Sequence, residues 1–414
     1  MPVSFLTKTQ CEQYGRYSGP PTAQELSRYF HLDDFDHSLI AKKRAAHNRL
    51  GFAVQLCTLR YLGTFISDID VPHTVIETIS NQLDRTADVD LESYRNGNQH
   101  WIHADEIRQH YGFTDITERR VAFTFSRWLY ALCWTGTDRP SVLFERARYW
   151  LLSHKVILPG YSTLERFIAK VRNRVEARVW QTLISDVTPE QKAQLAALLI
   201  VAPGESRTEM EKLRKGPVSI SAQSILHEIE RLQSIRSLHT PWYFPGHVPD
   251  VRVMSLARYA STAKAATIRR MSEPRKAATL RALIASLNIS TQDDILVVLE
   301  QLLRKIFSES VKKHQQKRQA SLKIYDRSAA VLAKVCRLIL DERISGNNLR
   351  EKLYEAVSQE SLVTAVDRVT GLVRPKNDVH FSELDERYRT IRKFLPAILE
   401  NITFEGNANG QHLI

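Results

Sequence analysis

The stretch DHSLIAKKRAAHNRLGFAVQLCTLRYLG, residues Asp36 to Gly63, decides the fold class. Apolar Leu39, Ile40, Leu50, Phe52, Ala53, Leu56, Leu59 and Tyr61 recur in it at helical spacing, with Lys42, Lys43, Arg44, Arg49 and Arg60 set between them. Intervals of three and four residues place side chains on one face of a helix, whereas a half-buried strand needs strict alternation. The same period runs outward in both directions, with no convincing alternation. The expectation is an all-α chain of several small helical domains, including helix-turn-helix-like units, with no substantial sheet.

Punctuation residues divide the helices. Pro72 sits near the first turn of a helix over Val75–Leu83, where its missing N–H costs little. Asn96-Gly97-Asn98 closes a polar stretch from Arg85 to Gln99 and marks a boundary. Helices follow over Ile102–His110, Glu118–Thr135 and Val142–His154. Ser162 and Glu165 have the spacing of a capping box, predicting a helix from Leu164 to about Ser185. Thr188-Pro189 opens another, Lys215-Gly216-Pro217 is a turn, and Ser221 begins a helix with Ile225, Leu226, Ile229, Leu232 and Ile235 on one face. Thr240–Pro249 reads as an irregular linker. Further helices are expected over Val251–Tyr259, Lys264–Ser286, Gln292–Glu309, Ser328–Asp341, Leu349–Val357, Ser361–Val369 and Glu383–Glu400. The boundaries group these into domains over 1–95, 96–204, 205–290 and 291–414.

Charge narrows the function. The 414 residues carry a formal charge of +12, with 43% hydrophobic and 25% charged residues and only 15 Gly and 15 Pro. That composition buries a core, and its charge attracts polyanions, of which DNA is the commonest. Cys11, Cys57, Cys133 and Cys336 are too far apart for a knuckle or disulfide framework and read as small buried hydrophobes. The longest unbroken apolar run, Leu195–Ala202, is short of the ~20 residues of a bilayer span, and the N-terminus has no secretory pattern, so a cytoplasmic protein is expected.

Two segments have the shape of a helix-turn-helix. In the first, Tyr111-Gly112-Phe113 joins Ile102–His110 to a helix bearing Arg119, Arg120 and Arg127, with Phe123, Phe125, Trp128, Leu129, Leu132 and Trp134 expected to hold it in a core. In the second, Leu158-Pro159-Gly160 leads into Thr163 and a helix bearing Arg166, Lys170, Arg172, Arg174 and Arg178. Positions 166, 170, 174 and 178 form one cationic stripe, suited to phosphates or guanine edges. Its alternative is a solvated face neutralised by Glu165 and Glu176. The runs Arg269, Arg270, Arg275, Lys276 and Lys312, Lys313, Lys317, Arg318, Lys323 read more readily as solvated faces.

Catalytic signals are poor. The densest acidic clusters, Asp33-Asp34-Asp36 and Asp293-Asp294, suit helix N-termini better than a metal centre. Phosphate-loop, zincin and nucleophile-elbow motifs are missing. His100 and His103 are too thin a pair for a metal site. No catalytic residue, metal ligand, cofactor or small-molecule substrate is expected.

Several segments together resemble the N-terminal region of Tn3-type replicative transposases, the TnpA proteins. They are Pro2-Val3-Ser4-Phe5-Leu6-Thr7 with Tyr14-Gly15-Arg16, Leu26–Asp33, His47-Asn48-Arg49-Leu50-Gly51-Phe52-Ala53-Val54-Gln55-Leu56, Arg60–Phe65, Glu106–Tyr111, Ile157-Leu158-Pro159-Gly160 with Thr163-Leu164, Lys215–Val218, and Arg392–Pro396. The resemblance runs in order along essentially the whole chain. It implies an all-helical region of a bacterial, nucleoid-associated protein that binds double-stranded DNA at terminal inverted repeats, with the later part aiding homodimerisation. It raises the Leu164 helix as a DNA contact, beside Lys42, Lys43, Arg44 and Arg49 from the first domain. The family's catalytic Asp-Asp-Glu centre lies in an RNase H-like domain with no counterpart here, and the tail Phe404–Ile414 ends where relatives continue. The reading left is end recognition without strand transfer. A truncated regulator of transposition and a structural dimerisation module are the alternatives.

Overall fold

The computed structural model describes residues 5–65, 70–83, 91–241, 243–244, 247–371 and 381–402. Pro2–Ser4, part of the expected boundary around 84–90, Trp242, the tail Phe404–Ile414 and the side chains of Arg318 and Lys323 lie outside the described residues. The chain is all-α: twenty α-helices and one short 3-10 turn, with no strand among the described residues.

In chain order these are Lys8–Gln13 (α1), Ala23–Tyr29 (α2), Asp34–Ala41 (α3), Ala46–Leu62 (α4), His73–Gln82 (α5), Glu92–Asn96 (α6), Gln99–Tyr111 (α7), Arg119–Thr135 (α8), Pro140–Ser153 (α9) and Tyr161–Leu183 (α10). Pro189–Ala197 (α11), Glu209–Leu213 (α12), Ala222–Arg236 (α13), Asp250–Thr262 (α14), Ala265–Arg269 (α15) and Glu273–Ile339 (α16) follow. The last are Leu349–Ala356 (α17), Gln359–Thr370 (α18), Phe381–Asp385 (α19) and Tyr388–Asn401 (α20). Two compact units result: Met1–Val187 with Tyr243–Leu283, and Thr188–Trp242 with Ile284–Ile414.

The stretch Asp36–Gly63 is not one helix. It breaks at Lys42–Ala45, where Ala45 takes a left-handed φ of 65°, a conformation no propensity scale anticipates for alanine. Beyond the break, every residue from Leu50 to Leu59 of α4 is buried. A helix apolar on all sides belongs at the centre of its domain, and α4 packs against α2, α3, α5, α6 and α7. Gly51 lets the Tyr94 ring lie against the α4 backbone, since a Cβ there would stand 2.3 Å from the ring. Gly63 ends α4 at φ 77°, the left-handed cap that glycine adopts without strain.

Two buried polar sets fix this core. The Asp36 carboxylate accepts both Arg60 Nη groups at 2.7 and 2.8 Å and the Tyr111 hydroxyl at 2.6 Å. Burial pushes that carboxyl up, but these donors and the Asp33 N–H more than offset it, and it ends below the usual range. The Tyr94 hydroxyl lies 2.9 Å from His103 Nδ1. Burial first, and the Lys43 ammonium second, push His103 down to about 4. The unfolded chain takes up that proton near the ordinary value of about 6.5, so the fold loses stability as pH falls from about 6.5 to 4 and no further below. We expect a decline on the order of 3 kcal/mol across that window in urea titrations. His103→Gln should flatten it; an unchanged slope in that variant would remove His103 as its source.

The second core of the first unit joins five helices, α16 among them through Ala278 and Ala282. Phe125 and Leu129 of α8, Phe144 and Leu151 of α9, and Leu164, Ile168 and Val175 of α10 meet in it, and α14 adds Val253 and Ala257. Phe125, Trp128, Trp150 and Phe167 pack ring against ring there, with centroids 5.0–5.9 Å apart. Phe123, expected inside, is instead 67% exposed.

In the second unit, Ile225, Ile229 and Leu232 of α13 meet Ile295, Val298, Leu302 and Ile306 of α16 and Phe394 and Ile398 of α20. The helices expected separately over Lys264–Ser286, Gln292–Glu309 and Ser328–Asp341 are α15 and one 67-residue helix, α16. No Gly or Pro occurs from Arg275 to Ser345, so nothing breaks it, and Ser286, Asn288 and Ser290 are tolerated inside. Asp293 and Asp294 therefore lie mid-helix, not at an N-terminus, with Asp294 3.5 Å from Arg231. Glu383–Glu400 is likewise two helices, α19 and α20. Cys57 and Cys133 are buried as expected, but Cys336 is exposed.

Part of α16, Glu273–Lys317, is long and apolar enough to be considered as a membrane span. Its apolar positions have another use: Ala278 and Ala282 lie in the core of the first unit, and Ile295, Val298, Leu302 and Ile306 in that of the second.

Candidate nucleic-acid interface

Helix α10 is fixed at both ends. At its start, Leu158 N–H donates to the Gly63 carbonyl at 2.9 Å, Ile157 N–H to Thr114 at 3.0 Å, and the Tyr14 hydroxyl to Pro159 at 3.0 Å. The expected capping box does not form: Gly160 is the N-cap, without a side-chain cap bond. Glu165 instead accepts the Phe5 N–H at 3.0 Å, tying the N-terminal segment to α10. At its end, the buried Arg281 donates to the Leu183 carbonyl and pairs with Asp186.

Between these clamps, Leu164, Ile168, Val175 and Val179 face the core. The stripe Arg166, Lys170, Arg174 and Arg178 is exposed and about 18 Å long at about 1.5 Å per residue. Each four-residue step turns about 40° around the axis, so the stripe winds by about 120° over its length. Its later members thereby reach α8, the helix packed along α10. Arg174, Ala177, Arg178 and Gln181 line an open groove with Phe123, Ser126, Arg127 and Tyr130 of α8.

The neutralised alternative fails on geometry. Glu165 is taken by Phe5, and Glu176 pairs with Arg172 at 3.2 Å, off the stripe. Among the described residues, Arg166, Lys170, Arg174, Arg178, Arg119, Arg120 and Arg127 have no ion-pair partner; Arg166 Nε donates only to the Ser162 carbonyl. Arg119 and Arg120 also occupy the first turn of α8, where cations oppose the helix dipole by about 0.3–1 kcal/mol each. Thr163 is exposed in the first turn of α10.

The other expected residues divide. Lys42 and Arg44 are exposed, but the Lys43 ammonium is bonded to Glu106 and lies 4.6 Å from the Phe52 ring centre, and Arg49 Nε donates to the Lys43 carbonyl at 2.8 Å. Those two hold the α3–α4 break together. The first helix-turn-helix-like segment is divided between cores, with Ile107 of α7 in that of α4 and Phe125 of α8 in that of α10. Of the later basic runs, Lys276 pairs with Glu273, Lys313 with Glu386 and Lys317 with Glu383. Sequence reading misses Phe123 and Tyr130 as groove residues, because only the packing of α8 on α10 turns them outward.

Fold and site define the class: an all-helical protein with an unneutralised cationic groove beside a clamped helix. Residues 5–171 match a family described as a domain of unknown function, DUF4158. The chain is 36% identical over 423 residues to the transposase for transposon gamma-delta of Escherichia coli K12, covering 100% of this chain and 42% of that protein. It is 27% identical to the transposase for transposon Tn501 of Pseudomonas aeruginosa, covering 92% and 38% respectively. A transposase for transposon Tn1546 of Enterococcus faecium is 26% identical, covering 94% and 40%. The chain is a homologue of the Tn3-family transposases, and it spans about two fifths of the length of these relatives.

Proposed function

We propose that this chain is an end-recognition part of a DNA transposase, binding double-stranded DNA at the terminal inverted repeats of its element. The observation that carries the reading is the set of seven exposed cations on α8 and α10 without an ion-pair partner among the described residues. Phosphate contacts from Arg119, Arg120, Arg127, Lys170, Arg174 and Arg178 would set the register, and Thr163 and Arg166 at the start of α10 would approach base edges, as the first residues of a recognition helix do. Lys42 and Arg44 extend the basic surface. The proposed protein acts in the bacterial cytoplasm, and as a homodimer it would hold two ends together.

The test is fluorescence anisotropy of the chain with a terminal-repeat duplex and a scrambled duplex at ~150 mM salt. A preference of roughly a hundredfold or more supports end recognition. Equal, weak binding to both overturns it.

A further inference from the structure

A second cationic site lies on the other flank of α10. A cavity of about 260 Å³ opens between the C-terminal end of α8, α10, α14 and the start of α16, and three guanidinium groups line it, from Arg172, Arg252 and Arg275. Its two carboxylates are already engaged, Glu176 with Arg172 at 3.2 Å and Asp138 with Arg146 at 3.0 Å. Arg252 donates to the Gly136 carbonyl at 3.1 Å, and Arg275 lies 5.3 Å from the Trp180 ring centre. Neither has an ion-pair partner among the described residues. Burial, only partly opposed by Glu176, holds Arg252 below the ordinary guanidinium range.

A half-buried cation without a counter-ion is costly, and two beside one cavity call for an anion. Guanidinium forks match tetrahedral oxyanions in two-point contacts, and the Ser255 side chain at the cavity wall adds a hydroxyl. A duplex, whose two grooves alone are about 6 and 12 Å wide, is too broad to enter a space of about 260 Å³. We propose that this cavity binds a small free oxyanion of the phosphate class, with Arg252 and Arg275 as its principal ligands.

The test is thermal unfolding of the full chain with sodium pyrophosphate, against sodium chloride at matched ionic strength. Saturating pyrophosphate should raise the midpoint by roughly 5 °C. Arg252→Gln and Arg275→Gln should each remove that rise, with circular dichroism confirming the native helix content. Among the described residues Arg275 makes no hydrogen bond, so its variant remains informative if the Arg252 variant is unstable. A midpoint that matched sodium chloride reproduces, or that rises equally in the Arg275 variant, overturns the proposal. So does a loss of duplex binding in that variant when the wild-type chain shows no response to pyrophosphate, which would make the site part of the DNA surface.

Discussion

Replacing Arg127, Arg174 and Arg178 together by alanine is expected to weaken binding to the terminal repeat by roughly a thousandfold at ~150 mM salt, taking about 1.4 kcal/mol per contact. The three line one groove from two helices, and among the described residues none has a carboxylate partner. Removing them therefore strands no buried partner, and the fold should keep its stability within about 0.5 kcal/mol. The dependence of log affinity on log salt should flatten by about 2.7, at 0.9 per phosphate contact. Lys43→Ala is the contrast. Its ammonium serves Glu106 and Phe52, so it should lower stability and leave the salt slope unchanged. A triple variant with wild-type affinity and slope would remove the groove from the interface.

Much of the fold is legible in the sequence because its helices carry their own punctuation. Thr188 and Ser221 cap the helices expected of them, Gly112 ends α7 in a left-handed conformation, and α8 begins and ends where Glu118 and Thr135 suggest. The misses are tertiary in origin. The left-handed Ala45 is a strained residue between α3 and α4, and periodicity continues across it. Serines and asparagines inside α16 resemble breaks only until the helix is seen to run through them. The stripe on α10 is readable as spacing, but its value depends on where Glu165 and Glu176 point. Lys43 is structural because of Glu106, 63 residues away, and Arg174 shares a groove with Arg127 only once α8 packs on α10; no local pattern encodes either.

The largest expected effect on stability comes from Arg281→Met. The side chain is fully buried, donates to the carbonyls of Leu183 and Tyr243 and to Asp186, and lies 4.9 Å from the Phe244 ring centre. Methionine keeps most of the volume but none of the donors, leaving two carbonyls and a carboxylate without the guanidinium. Breaking a buried pair from one side costs about 3–5 kcal/mol. Asp186 keeps 34% of its side chain in water, which places the expectation near the lower end, about 3 kcal/mol. For a unit of this size that is a fall of roughly 6–12 °C in the thermal midpoint. Because Leu183 is the last residue of α10, the same change frees the end of the helix that carries Arg174 and Arg178. Affinity for the repeat should therefore fall by about tenfold at a temperature where the variant is still folded, although Arg281 itself touches no surface. Adding Asp186→Asn should recover part of the stability, since a neutral amide needs the guanidinium less. An unchanged midpoint would show that α10 is held by its apolar face alone.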